Sequence, residues 1–425
     1  MRYSRASSCA NNVAGCSSEK ADELRIAVIS PFVDRQHGTE RAVAELIERL
    51  SAKYGHDVEL YAQRVTGVRN LQSEGESAQK KICWHRVGTV PGPLLLRFPG
   101  WLWLNRRARW RQVSRSGKSP DVIFSPGINT FDADVILVHA VFHRLVELQT
   151  SHDRAGLRGV HRRLYYALLC NLERRIYGDP HVTLAAVSKH TAEQLKKYFG
   201  RDDVTVVPNG VDVGHFSPAA ISPLREASRR QEQVSRAEIA LLIVGNDWRN
   251  KGLSVLLSAM AACKDLPLKL LVVGQDEAEP FRGQLEITGV RDRVQFCRPV
   301  PDVRGLYAAA DVLVAPSLED SFNLPVLEAM ACGLPVIVSP KAGVSEWLTN
   351  SFDALLLKDP ENTGELAEAI RTLATGTELR KTLAENAVTT ARKFSWDEHA
   401  AQLRQLMQEA AAKKSAVGRS VRPSQ

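Results

Sequence analysis

The sequence predicts an α/β fold, two doubly wound parallel-sheet domains in tandem, and three observations carry that reading. Short apolar runs rich in Val, Ile and Leu alternate with longer stretches of helical period, the pattern of βαβ units. The strand pattern stops at a polar, unpatterned stretch, SPAAISPLREASRRQEQVSRAE (217–238), and then restarts. The chain of 425 residues is too long for one small core and suits two.

The start, MRYSRASSCANNVAGCSSEK, is polar and lacks the apolar core of about 7–15 residues that a signal peptide requires. Residues 1–22 are therefore expected to be a disordered leader, and the chain to be cytoplasmic. The first domain is expected over 23–215, with strands at LRIAVIS (24–30), DVELYAQ (57–63), DVIFSPG (121–127), DVILVHA (134–140), VTLAAVS (182–188) and DVTVVPN (203–209). Between the first two, Val43, Leu46, Ile47 and Leu50 recur at spacings of three and four, giving a helix with one apolar face. Residues 216–238 read as an interdomain linker. The second domain, 239–394, has strands at IALLIVGN (239–246), LKLLVVGQ (268–275), RVQFCRP (293–299), DVLVAPS (311–317), LPVIVSP (334–340) and DALLLKDP (353–360). A last helix is expected over 395–412 and a disordered tail over 413–425. Ligands of such sheets bind beyond the carboxyl ends of the strands, so two facing domains create a cleft lined by strand-to-helix loops.

Composition narrows the function less than the motifs do. A net charge of +8 and a pI near 9.1 favour anionic partners such as nucleotides, phospholipids or nucleic acid. No stretch approaches the roughly 18 consecutive apolar residues of a membrane-spanning helix. Seven cysteines lie far apart without a C-x-x-C pair, as expected of reduced thiols. No strand is followed by G-x-G-x-x-G, which argues against a dehydrogenase, and no motif of recognised type supports nucleic-acid binding.

The most informative stretch is SLEDSFNLPVLEAMACGLPVIVS (317–339). DVLVAPS reads as a buried strand, LEDSFN as the loop at its carboxyl end, and LPVLEAMAC as a helix with Pro325 in its first turn, where a missing N–H costs nothing. The N–H groups of Asn323, Leu324 and their neighbours then face the cleft and favour phosphate. Glu328, about one turn in between Leu327 and Met330, can accept hydrogen bonds from a pair of ligand hydroxyls, as carboxylates do from ribose in α/β folds.

These residues resemble the GT-B fold glycosyltransferases of the large retaining family 4, and the resemblance runs from about residue 24 to 412. Its strongest carriers are VAPSLEDSFNLPVLEAMACGLPVIVS, with two acidic residues separated by seven others, and the connector VPNGVDVGHFSP (207–218). HGTERAVAELIERL, VSKHTAEQLKKYFG (187–200) and VGNDWRNKG (244–252) support it. The resemblance implies that Glu328 binds the nucleotide ribose and that Asp320, where glutamate is usual, touches the donor sugar. It places Gly38, Phe322, Asn323 and Leu324 at the donor diphosphate. The family's usual arginine after the glycine is Asn246 here, but Arg249 and Lys251 stand in the same loop and could neutralise a leaving diphosphate. Arg298 and Val300 fall where the family packs the base. His139 ends a strand at the position of a family active-site histidine, with His143 four residues on as the alternative. Glu319 lies outside the motif and is expected to be a surface charge or loop cap, nearly silent on substitution.

By the same resemblance the last helix crosses back onto the first domain. The reaction is transfer of a sugar with retention from a nucleoside-diphosphate sugar, with UDP the expected carrier, to a glycan or lipid-linked acceptor in cell-envelope polysaccharide or lipopolysaccharide synthesis. No metal and no other cofactor is expected, and the aspartates of DAD (132–134) read as a turn. A nucleotide-sugar epimerase on the same fold, and a nucleotide-sugar-binding protein without chemistry, are the alternatives. RFPGWLWLNRRARWRQVSRSGKS (97–119) mixes three tryptophans, Trp101, Trp103 and Trp110, with Arg97, Arg106, Arg107, Arg109, Arg111, Arg115 and Lys118, which suggests docking on an anionic membrane surface.

Overall fold

The computed structural model describes residues 23–73, 82–149 and 157–420, so the leader expected at 1–22 lies outside the described residues. The first sheet begins with β1 (Arg25–Ile29), buried along its length as a central parallel strand must be. A short β2 (Phe32–Val33) leads to α1 (Gly38–Ala52), whose Val43, Leu46, Ile47 and Leu50 are all buried. Next come β3 (Asp57–Ala62), β4 (Arg64–Val65), β5 (Leu71–Ser73) and β6 (Ile82–Arg86). The long α2 (Leu94–Ser116) precedes β7 (Val122–Pro126) and β8 (Val135–Val138). α3 (Phe142–Gln149), α4 (Leu157–Tyr177), β9 (Thr183–Ala186), α5 (Lys189–Phe199) and β10 (Thr205–Val206) complete the unit. The eight strands run β10-β9-β8-β7-β1-β3-β6-β5 and pair in parallel throughout, with Ile26 opposite both Val58 and Val122.

Residues 216–238, expected as a linker, are a folded helical segment: α6 (Pro218–Ile221), a 3-10 turn, and α7 (Arg225–Gln231). REASRRQ shows no apolar face because its arginines do the packing. Arg225 donates to the carbonyls of Ala308 and Ala310 at 2.9 and 2.8 Å, and Arg225 and Arg229 both pair with Asp311.

The second sheet follows: β11 (Ile239–Val244), α8 (Leu253–Ala262), β12 (Leu268–Val273), α9 (Arg282–Thr288), β13 (Val294–Cys297), α10 (Arg304–Ala309) and β14 (Val312–Ala315). Then come α11 (Leu324–Ala331), β15 (Val336–Val338), β16 (Leu355–Leu356), α12 (Thr363–Thr375) and α13 (Thr377–Ala391). Its parallel order, β13-β12-β11-β14-β15-β16, reverses direction between β11 and β14, which opens a crevice at their carboxyl ends. The protein is thus two Rossmann-like domains.

α14 (Trp396–Ser420) continues past 412, so the tail expected from 413 is helical as far as Ser420. It packs on α1 and on β7, β8 and β9 of the first domain, burying Trp396, Leu403 and Met407. The chain therefore passes between the domains twice, and the two passages touch: Val211 and Ser395 form a parallel bridge, with the Val211 N–H donating to Phe394 at 2.9 Å. Gly210 permits this, because a Cβ there would lie 2.3 Å from the Trp396 nitrogen. No helix among the described residues is long and apolar enough to cross a membrane. The five described cysteines are free thiols.

Candidate active site

The crevice between β11 and β14 is lined by Val244, Lys251, Ala315, Ser317, Asn323 and Pro325. Two sequence features shape it. Gly252 adopts φ +82° before α8, and a Cβ there would sit 2.1 Å from the Pro316 carbonyl, so the Lys251 loop can lie against the β14 loop only with glycine. Asn323 caps α11 at φ 75°, a left-handed conformation that asparagine tolerates, and its side chain donates to Ser317 Oγ at 3.3 Å.

Around this crevice every acidic side chain singled out by the sequence holds a cation. Asp320 accepts from Lys251 Nζ at 2.5 Å and from the Phe322 N–H at 3.1 Å. Among the described residues this leaves Asn323 and Leu324, but not Phe322, as the open backbone donors at the start of α11. Glu328 is 4% exposed, and both of its oxygens are engaged. Arg41 of α1 reaches across from the first domain to Oε1, and the Tyr307 hydroxyl donates to Oε2 at 2.6 Å. Burial and Glu328 together push the Tyr307 phenol well above its ordinary pKa, so it serves only as a donor. Gly38, at the start of α1, faces Leu324 at the start of α11; a Cβ on it would lie 3.5 Å from Leu324 Cδ1. Two helix N-termini thus meet at the cleft, each favouring negative charge.

Other expected residues stand further out. Arg249 is exposed in the turn before α8. Arg298 and Val300 are exposed after the edge strand β13, and among the described residues no hydrogen bond or ion pair ties them to the crevice. Asn246, in place of the family's arginine, accepts from the Gln275 N–H at 2.9 Å and so braces two neighbouring loops. His139 lies at the end of β8 with both ring nitrogens buried and unpaired, beside Asn209, whose Oδ1 is also unpaired. Burial and the nearby His399 of α14 lower its pKa to about 3, so it is a neutral imidazole. His143 is committed elsewhere: its Nδ1 lies 2.7 Å from Glu173, which also accepts the Phe142 and His143 N–H groups at the start of α3. In the DAD turn, Asp132 pairs with Arg109 and Asp134 accepts from the Ile123 N–H and Lys414.

One expectation is overturned. Glu319 is neither a surface charge nor a loop cap: it is 6% exposed, and three first-domain side chains donate to it. His190 Nε2 lies 2.5 Å away, Gln194 Nε2 2.7 Å and Arg144 Nε 2.9 Å. Burial alone would raise its pKa, but His190 and Arg144 outweigh that and hold it below the usual carboxylate range. Arg41, Tyr307 and His190 also went unread in the sequence, although Arg41 stands in the quoted HGTERAVAELIERL only three residues after Gly38.

Comparison with known proteins gives this geometry its class. The family model for Glycosyltransferase Family 4 matches residues 36–215, and that for Glycosyl transferases group 1 matches residues 225–390. The crystal structure of WaaG, a glycosyltransferase of lipopolysaccharide biosynthesis, superposes with a TM-score of 0.72 over 90% of this chain and 99% of that one, at 21% identity. HepE of Anabaena, solved with UDP and glucose, superposes with a TM-score of 0.65 over 91% of this chain and 100% of that one, at 19% identity. The fold is therefore that of the GT-B class.

The chain belongs to the group 1, family 4 glycosyltransferases. Among curated relatives, the D-inositol 3-phosphate glycosyltransferase of Actinosynnema mirum is 33% identical over 244 residues, 52% of this chain and 57% of that protein. The lipopolysaccharide glucosyltransferase WaaG of Escherichia coli is 30% identical over 185 residues, 43% of this chain and 50% of that protein. The chain thus spans between half and two thirds of the length of the curated relatives it matches.

Proposed function

We propose that the protein transfers a hexose from a UDP-sugar, with retention of configuration, to a lipid-linked glycan acceptor in cell-envelope polysaccharide or lipopolysaccharide synthesis. The observation that carries this reading is Glu328, a buried carboxylate one turn into a helix whose open N–H groups border the crevice. In this reading the ribose diol binds Glu328 and the diphosphate sits at the Asn323 and Leu324 N–H groups. Lys251, now paired with Asp320, turns to the leaving phosphate, with Arg249 as a second cation. The bond from the anomeric carbon to the diphosphate oxygen breaks, and the acceptor oxygen bonds to that carbon from the same face while passing its proton to the departing diphosphate oxygen. Asp320 and the neutral His139 border the charge that develops on the sugar. Protein cations take the part a metal would play, so EDTA should leave turnover unchanged. Arg298 and Val300 flank the base.

Support for UDP comes from HepE, which was solved with UDP and glucose, and for a lipid-linked acceptor from WaaG, which acts in lipopolysaccharide biosynthesis. The basic face of α2 would hold the enzyme at the inner surface of the membrane that bears the acceptor. A thermal-shift panel of UDP, GDP and ADP tests the donor: a nucleotide at 100 times its Kd adds about 2.7 kcal/mol, and stabilisation by GDP or ADP alone would overturn the choice of UDP. Incubation with UDP-sugar and no acceptor tests the reaction. Slow hydrolysis fits a transferase, whereas complete conversion to an epimer would sink it. The anomeric configuration of the product, read by NMR, tests retention.

A further inference from the structure

Glu319 has the position of a part that the reaction depends on without being touched by it. The loop that carries it is already fixed inside the second domain. The Leu318 N–H donates to Asn250 at 2.7 Å, Asn250 Nδ2 donates to the Glu319 carbonyl at 2.7 Å, and the Asp320 N–H donates to Lys341 at 3.0 Å. The Gly343 N–H closes the set on the Asp320 carbonyl at 2.9 Å. The Glu319 carboxylate is therefore not needed to shape its own loop. All three of its side-chain partners, Arg144 of α3 and His190 and Gln194 of α5, belong to the other domain.

The surroundings make this a docking point of the first domain on the second, apart from the Arg41–Glu328 contact. Glu346 accepts the Lys189 and His190 N–H groups at the start of α5, at 2.8 and 2.5 Å. Beside it, Gly343 lies so near Ser188 that a Cβ would come within 2.7 Å of the serine Cβ. Arg144 is on the helix that follows the strand ending at His139, and Glu319 is the neighbour of Asp320. One ion pair thus spans from the element after His139 to the residue before Asp320.

We propose that Glu319 is a positioning residue: through Arg144 and His190 it sets the closed distance between the two domains, and so the spacing of His139 and Asp320 around the donor sugar. This rests on the donor-site reading given above. The expected signature is a split between binding and turnover. The nucleotide contacts assigned to Glu328, Asn323 and Leu324 lie in the second domain and do not pass through Glu319, so affinity should be largely kept, whereas a displacement of about 1 Å between reacting groups costs up to ~10²-fold in rate.

The test uses the full chain and the variants Glu319→Gln, Arg144→Gln, His190→Gln and the double variant Glu319→Gln/Arg144→Gln. By small-angle scattering without nucleotide, Glu319→Gln should have a larger radius of gyration than wild type. With UDP as the probe its Kd should stay within about threefold of wild type, while kcat for transfer falls by about tenfold or more and the hydrolysed share of consumed donor rises. The double variant should be no worse than the worse single one, because both remove the same contact. Scattering curves that superimpose on wild type overturn the proposal, as does a Glu319→Gln enzyme with wild-type kcat. Additive losses in the double variant do the same. If Glu319→Gln does not fold, the two first-domain variants carry the test. If wild type itself neither binds UDP nor transfers from a UDP-sugar, the donor reading fails, and the scattering comparison still decides whether Glu319 sets closure.

Discussion

Glu328 and Asp320 are separated by seven residues and by opposite kinds of partner, and that difference predicts how each responds to substitution. Glu328 is held by Arg41 from the other domain and by Tyr307. Its carboxylate faces a ribose diol in the proposed complex, where a charged hydrogen bond contributes about 1.5–3 kcal/mol. Glu328→Gln should therefore weaken UDP binding by roughly 10- to 100-fold in calorimetry. Glu328→Ala also leaves a largely buried arginine and a phenol unpaired, so it should unfold at a lower temperature than the glutamine variant. Asp320 is held within its own domain by Lys251. Asp320→Asn should retain UDP and lose about a hundredfold or more in kcat, while Asp320→Glu keeps partial turnover. Equal loss of UDP affinity in Asp320→Asn and Glu328→Gln would show that the two carboxylates do not divide the work.

Among the elements, α2 departs most from a simple surface helix. Its Trp101 is in the core and its Arg109 is buried on Asp132, so these two drop out of the proposed membrane face. Trp103 and Trp110 remain 58% and 69% exposed, with the Arg107 guanidinium over the Trp103 ring, and Leu94 and Leu96 stand exposed at the start of the helix. Each basic residue near anionic lipid adds about 1 kcal/mol. The protein should therefore sediment with anionic vesicles and not with neutral ones, and Trp103→Ala/Trp110→Ala should lower the bound fraction severalfold; equal sedimentation with both vesicle types removes the membrane role. The strands were legible because parallel strands buried on both faces read as apolar runs. β6, ICWHR, escaped because only Ile82 and His85 are buried in it. α6 and α7 escaped because arginine-to-carbonyl bonds, not apolar spacing, hold them. The donor-side motif was legible for the same local reason, since its residues lie within one strand, loop and helix. Arg41 to Glu328 and His190 to Glu319 were not, because those pairs join residues 287 and 129 positions apart.

For the molecule as a whole, the junction between the domains is where pH should act. His399 is buried there and His139 is half-buried with both ring nitrogens enclosed, their pKa values lowered to about 4 and about 3, chiefly by desolvation, from the ordinary 6.5. The unfolded chain takes up both protons near pH 6.5, whereas the folded chain refuses them until about pH 4. Their neutral burial therefore costs nothing above pH 6.5 and destabilises the fold as pH falls below it, by about 1.4 kcal/mol per pH unit for each histidine. The urea midpoint should drop between pH 7.5 and pH 5.0, and His399→Gln should reduce that drop; identical midpoints at the two pH values would contradict the assignment.

The same junction has a consequence for how such an enzyme can be taken apart. Because Val211 and Ser395 sit side by side, everything between them leaves and re-enters the first domain at a single point. The second domain is, in chain terms, a cassette inserted into the first. Two splice points a few ångströms apart suffice to exchange it for the cassette of a relative, with no loop to lengthen and no strand order to alter. If donor and acceptor divide between the domains as proposed, a chimaera recombines the two choices independently, provided that the incoming cassette keeps a glutamate for Arg41 and a carboxylate for His190.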